Sequence, residues 1–248
     1  MYIKLLRILL FSLFSFFLFI HTGIGQQTLH GDTTITADSN DPQLKFLEIS
    51  YPTKQPMHRG YLLNNEREGG WTTYYSSGCI SELNTYKNGK LDGPRIKFSI
   101  AACVEIEEFY KDGVLHGPRT VFSYTCTPKL KERFLNGKLQ GLKTQYYDEG
   151  TIQEEGNWEN GLRHGETKWY NQMGKVVVSY TYQNGVIEGP AHINNPNGTL
   201  YLSGNYSNDL EEGEWIEYNE SGIAVKKVFY KKGKKLKESE IQSQDLKE

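Results

Sequence analysis

Asn88-Gly89-Lys90-Leu91-Asp92-Gly93 returns as Asp112-Gly113-Val114-Leu115-His116-Gly117 and again as Asn136-Gly137-Lys138-Leu139-Gln140-Gly141. The same frame runs Asn160 to Gly165, Asn184 to Gly189 and Asn208 to Gly213, and backwards from Asn64 to Gly69. Its closing glycines stand at 69, 93, 117, 141, 165, 189 and 213, so every interval is 24 residues. A fixed period of this length is the signature of a repeat architecture, in which each copy is one supersecondary unit that buries its apolar surface against the next.

Numbering from the closing glycine exposes what one unit is. Five residues later stands an aromatic (Tyr74, Phe98, Phe122, Tyr146, Tyr170 and Tyr218, with Asn194 the exception). At nine comes a second glycine (Gly78, Gly150, Gly174, Gly198 and Gly222, with Ala102 and Cys126 as exceptions). At seventeen every copy is aromatic: Tyr86, Tyr110, Phe134, Trp158, Tyr182, Tyr206 and Tyr230. Asn-Gly or Asp-Gly between aromatic and β-branched runs supplies the positive φ of a tight hairpin turn. Each unit is therefore expected to hold two short strands, about 70–75 and 79–86 in the first copy, with a turn at each end. Side chains alternate along a strand, so offsets eleven, thirteen, fifteen and seventeen are expected on one core face. Offset eleven carries Ile80, Val104, Ile152, Val176 and Leu200.

Two strands per unit at about 4.8 Å each advance the array by roughly 10 Å, so seven copies make a rod about 70 Å long. Aromatic-on-aromatic contacts along its axis add about 0.5–1.5 kcal/mol per pair. No helix of ordinary length fits the period. The fold class is all-β: an elongated single-layer antiparallel array of tandem β-hairpins. Hydrophobic content of 37% beside 17 tyrosines suits such a thin sheet better than a thick aliphatic core.

The motif aromatic-x-Asn-Gly-Lys-x-x-Gly, as in Tyr86-Lys87-Asn88-Gly89-Lys90-Leu91-Asp92-Gly93, resembles the MORN repeat. The 24-residue form is similar to the bacterial MORN-variant proteins grouped as YwqK-type antitoxins. The resemblance covers about 60 to 235. It implies an elongated antiparallel array that binds proteins or, in some members, membranes, without catalytic residues or cofactors of its own.

The ends read differently. Lys4 and Arg7 precede an apolar stretch, Ile8 to Ile20, and Gly23-Ile24-Gly25 supplies small residues, which is the layout of a secretory signal peptide over 1–25. Export to the periplasm, cell envelope or medium follows. Residues 26–59 form an extended leader with one capping strand, Leu44 to Tyr51. Residues 60–235 hold seven repeats, and 236–248 is a charged tail expected to fray. A net charge of −2 gives no reason to expect nucleic acid.

Candidate chemistry is sparse. Cys79, Cys103 and Cys126 fall near the same hairpin end of three successive copies. Equivalent positions two strands apart are about 9–10 Å from each other, beyond the reach of a disulfide. Cys103 and Cys126 pair only if their two glycine-less turns bend together. His116 and His164 each precede a closing glycine, two repeats apart, which assigns them to turns rather than to a metal. The carboxylates, such as Glu105, Glu107 and Glu108, sit on solvated strands with no cleft to shift a pKa. No catalytic, cofactor-binding or metal-binding residue is assigned, and the chain reads as a non-enzyme.

What remains is surface. Trp71, Trp169 and Trp215 on first strands are candidate contacts for a protein partner, since Trp is enriched at interface hot spots. Lys226, Lys227, Lys231 and Lys232 in the last repeat are a candidate patch for an anionic membrane. The same lysines also serve to guard a terminal strand against aggregation. The leading reading is a protein-interaction scaffold. The alternatives are lipid or glycan binding, or neutralisation of a partner protein.

Overall fold

The computed structural model describes residues 32–38 and 40–241, and the expected signal peptide lies outside them. Every described element is a strand. They are β1 (Thr33–Ala37), β2 (Leu44–Ser50), β3 (Pro56–Leu63), β4 (Glu66–Tyr74), β5 (Ile80–Lys87), β6 (Lys90–Phe98), β7 (Val104–Lys111), β8 (Val114–Phe122), β9 (Pro128–Leu135), β10 (Lys138–Leu139), β11 (Gly141–Tyr146), β12 (Ile152–Glu159), β13 (Leu162–Tyr170), β14 (Val176–Gln183), β15 (Val186–Asn194), β16 (Leu200–Ser207), β17 (Leu210–Tyr218), β18 (Ala224–Lys231) and β19 (Lys234–Glu240). Each pairs antiparallel with its neighbour in the chain, giving one open 19-stranded sheet. β10 and β11 both pair with β9, as one strand interrupted at Gln140.

The Asn-Gly pairs make the two-residue turns that their chemistry demands. Lys87 lies opposite Lys90, and both turn residues, Asn88 at φ 47° and Gly89 at φ 72°, are left-handed. The closing glycine does something other than close. Asn84 faces Arg95 and Tyr86 faces Leu91, so Thr85 alone opposes the three residues from Asp92 to Pro94. Gly93, at φ 119°, therefore forms a bulge inside β6. First strands begin just after the two-residue turn, as β4 does at Glu66 after Asn64-Asn65, four residues earlier than the sequence reading placed it.

A second bulge divides the expected core face. In each described hairpin the residue at offset four opposes that at thirteen, while five opposes eleven, as Thr73 opposes Glu82 and Tyr74 opposes Ile80. Opposed residues share a face and consecutive residues do not. Offset eleven thus lies with the aromatic at five on the back face. Offsets two, thirteen, fifteen and seventeen share the front. Among the described residues there is no second layer, and few apolar side chains are buried: Trp71, Tyr74, Ala191 and Trp215.

Both ends of the array extend further than expected. β2 matches the capping strand, but β1 and β3 flank it. Residues 45–68 have the repeat geometry without its glycines, because Asn64 and Asn65 take the left-handed turn at φ 53° and 66°. At the other end, residues 236–240 of the tail expected to fray form most of β19.

Candidate interaction surface

A row of facing side chains runs along the middle of the front face, built from offset two of each first strand and offset fifteen of each second strand. It has two kinds of segment. Near its ends the indoles of Trp71 and Trp215 lie across Gly60 and Gly204, where any Cβ would come within 3.0 Å of ring carbons. Trp71 and Trp215 are only 4% and 3% exposed. They hold the sheet together and are removed from the candidate contact surface. Trp169, at offset four, is half-buried edge-on to Tyr180 at 5.8 Å, with the Arg163 guanidinium 5.4 Å from its ring.

The middle of the row is a charged ladder. Arg95 donates from Nε to Glu82 and from Nη1 to Glu108, each at 2.6 Å. Arg119 donates to Glu108 at 3.2 Å and to Glu132 at 2.6 Å. Tyr110 adds its hydroxyl to Glu108 at 2.9 Å. Burial alone lowers the proton affinity of Arg95, but its bonds to Glu82 and Glu108 outweigh this and hold it above arginine's ordinary range. Burial and the Glu108 carboxylate both push the Tyr110 phenol up. The buried Glu108 is matched by a donor at both oxygens, which suits it to fixing strands.

The two long edges of the sheet are fastened differently. Along the Asn-Gly edge, each turn stacks on the one before. Gly89 N–H donates to Arg67 O at 3.0 Å and Gly113 N–H to Leu91 O at 2.7 Å. The residue before the closing glycine caps the next turn, as Glu68 does for Asn88 N–H at 2.8 Å. His116 fills this place beside Asn136, at 3.3 Å. Among the described residues, no cluster of His, Cys, Asp or Glu is arranged to hold a metal.

Along the opposite edge, tyrosines at offset six reach to the next repeat. Tyr51 donates to Tyr74 O at 2.8 Å, Tyr75 to Phe98 O and Tyr147 to Tyr170 O, both at 2.7 Å. In the two copies between, that position is Ser99 and Ser123, too short for the same reach. There the structure places a Cys103–Cys126 disulfide, with Cα atoms 5.4 Å apart. The two turns involved are those in which Ala102 and Cys126, at φ 62° and 63°, take the left-handed place of glycine. Cys79 is free and exposed.

Beside this bond lies a groove of about 450 Å³, lined chiefly by Ile100, Ala101, Ile106, Val121, Phe122 and Tyr124. At the turn tips Ile100 is 67% and Tyr124 88% exposed. Sequence reasoning passed over both. The signal was available, because the matching tip residues elsewhere are Ser76, Asp148, Gln172, Pro196 and Glu220.

The lysine-rich end is less free than its sequence suggests. Lys226 and Lys235 are both ion-paired with Glu238, and Lys227 with Glu214 at 3.4 Å. Lys231 and Lys232 are exposed at the last turn, where Lys232 adopts φ 49° in place of asparagine. The lysines therefore stand one strand in from the edge as well as on it.

These features define a tandem β-hairpin repeat protein. The model of the family described as MORN repeat variant matches residues 139–160 and 163–184, so this part of the array consists of MORN-variant repeats. No curated protein matches it. Among solved structures it is similar to a porin-like protein from Bacteroides uniformis ATCC 8492, at 8% identity and a TM-score of 0.20, over 83% of this chain and 92% of that one. It is also similar to a mutant of S. aureus TarM in complex with fondaparinux, alpha-GlcNAc-glycerol and UDP, at 10% identity and a TM-score of 0.14. That match covers 73% of this chain and spans 21% of TarM.

Proposed function

We propose that the chain is an exported, non-enzymatic scaffold that holds a protein partner at the groove between the turns at 99–103 and 123–127. The observation that carries this reading is the exposure of Ile100 and Tyr124 beside an apolar groove, on an edge whose other tips are mostly polar. Contiguous exposed apolar surface marks interaction sites in soluble proteins. Tyrosine supplies large contact area at low entropic cost. The disulfide fixes both walls in advance, which reduces the ordering that binding requires. It also suits the oxidising compartment to which a signal peptide delivers a chain. A protein partner is favoured over an anionic membrane because Lys226, Lys227 and Lys235 are already matched to carboxylates. A non-enzymatic role is supported by the ladder carboxylates, whose hydrogen bonds are spent on strand fixing.

The test is a cross-linked capture from an envelope fraction, comparing the protein with its Ile100→Ser/Tyr124→Ser variant. One stoichiometric partner that the variant fails to retain supports the scaffold, and its identity decides whether neutralisation is the purpose. Equal recovery by both proteins, or no partner at all, rejects the groove as the site.

A further inference from the structure

The two terminal strands of the sheet are finished in opposite ways. β19 carries Lys234, Lys235, Lys237, Glu238 and Glu240, and Glu238 ends the front row by facing Val228. Charge on an edge strand discourages further pairing. β1 reads Thr33-Thr34-Ile35-Thr36-Ala37, with no charge, no proline and no bulge. Here the front row ends on an apolar side chain: Gly60 faces Leu47, Leu47 faces Ile35, and Ile35 is 59% exposed.

The backbone of β1 is open on the same side. Ser50 N–H donates to Asp32 O and Asp38 N–H to Leu44 O, both at 2.9 Å. Hydrogen-bonded pairs alternate in an antiparallel ladder. Thr34 and Thr36 therefore bond β2, while the N–H and C=O groups of Thr33, Ile35 and Ala37 point outward. Among the described residues, β1 pairs with β2 alone.

We propose that β1 is the pairing edge for a second copy of this chain, joined antiparallel about a two-fold axis at Ile35. The strand is self-complementary in that register. Ile35 meets its own counterpart, Thr33 meets Ala37, and Thr34 meets Thr36, a cross-strand pair whose hydroxyls bond one another. The outward groups of all three edge residues are satisfied, and the apolar row continues from Leu47 through both Ile35 side chains into the second sheet. Asp32 and Asp38 oppose each other at the flanks, but each is compensated within its own copy. Lys54 pairs with Asp32, and the Asp38 carboxylate accepts from Asn40 N–H at 2.8 Å and Asp41 N–H at 3.3 Å.

Sedimentation velocity of the purified protein over rising concentration tests this, together with Ile35→Lys, which gives β1 the kind of guard that β19 carries. The expected result is a mass approaching twice the monomer's, with Ile35→Lys remaining monomeric and showing an unchanged strand signature by circular dichroism. In a Cys79→Ser background, Ile35→Cys is expected to oxidise to a dimer that reductant reverses. A monomer at every concentration, a dimer indifferent to Ile35→Lys, or an Ile35→Cys chain that never cross-links would each overturn the proposal.

Discussion

The indole of Trp215 occupies the space that a side chain would need at Gly204 on the neighbouring strand, and Trp71 stands in the same relation to Gly60. In a sheet with no second layer among the described residues, a ring laid over a bare backbone position is how apolar area leaves water. Adding one methyl, Gly204→Ala, forces the ring aside and is expected to cost about 1–3 kcal/mol. Trp215→Ala removes the buried ring and costs about 3–5 kcal/mol. Urea denaturation of the double variant is expected to show less than the sum, because the clash disappears with the ring. Additive losses would contradict the contact.

The ladder predicts a different kind of loss. Glu108→Ala leaves the Arg95 and Arg119 guanidinium groups facing each other without their shared carboxylate, and a cost of about 3 kcal/mol is expected. Glu108→Gln keeps the shape and part of the hydrogen bonding, so its loss in denaturant midpoint is expected to be smaller. Equal losses for the two variants would mean that the carboxylate's charge alone, and not the shape or hydrogen bonding that Gln retains, is what Glu108 supplies.

Burial gives stability a pH dependence at both ends of the range, for which His58 and Tyr170 serve as probes. Burial, then the nearby Arg67 guanidinium, lowers the His58 pKa below its ordinary 6.5, with Glu82 opposing. The folded state prefers the neutral ring, so this contribution is present above 6.5 and is lost as pH falls through the depressed folded value. At the alkaline end, burial and then Glu155 push Tyr170 up to about 12, against an ordinary 10. Its contribution is present below pH 10 and is lost as pH rises toward 12. Melting temperature followed across both windows is expected to fall at each end. His58→Gln should flatten the acid limb, and Tyr170→Phe should reduce the alkaline one in part, since burial also raises Tyr110, Tyr182 and Tyr206.

The turn edge makes a prediction about substitution of one fastening by another. The disulfide spans 23 residues, and losing a loop constraint of this order costs about 3 kcal/mol. Hydrogen exchange in the turns at 99–103 and 123–127 is expected to accelerate in Cys103→Ser/Cys126→Ser. Introducing Ser99→Tyr into that background should restore part of the protection, by a hydroxyl donated to Phe122 O as Tyr75 donates to Phe98 O. No recovery would show that the tyrosines are not equivalent fasteners.

Much of this architecture is written in residue identity, and what is not follows from register. The period, the Asn-Gly turns and the aromatic at offset seventeen were legible because each is a local demand on φ or on packing. The displacement of Ile80, Val104 and their equivalents to the back face was not, because a bulge is a property of two paired strands. Trp71 and Trp215 looked like exposed contacts because no second layer among the described residues covers the sheet; the glycines at 60 and 204, one strand away, were the overlooked signal. The repeat at 45–68 was hidden because Asn64 and Asn65 adopt the conformation for which glycine is the usual marker. The groove was missed because Ile100 and Tyr124 stand out only when turn tips are compared copy by copy.

The most direct test of the scaffold reading is a hydrogen-exchange footprint of the protein with its captured partner bound. The expected result is new protection confined to residues 99–106 and 121–127, with the rest of the sheet unchanged. Protection centred on Lys226, Lys227, Lys231 and Lys232, or on the back-face tyrosines, with Ile100 and Tyr124 still exchanging freely, would contradict it.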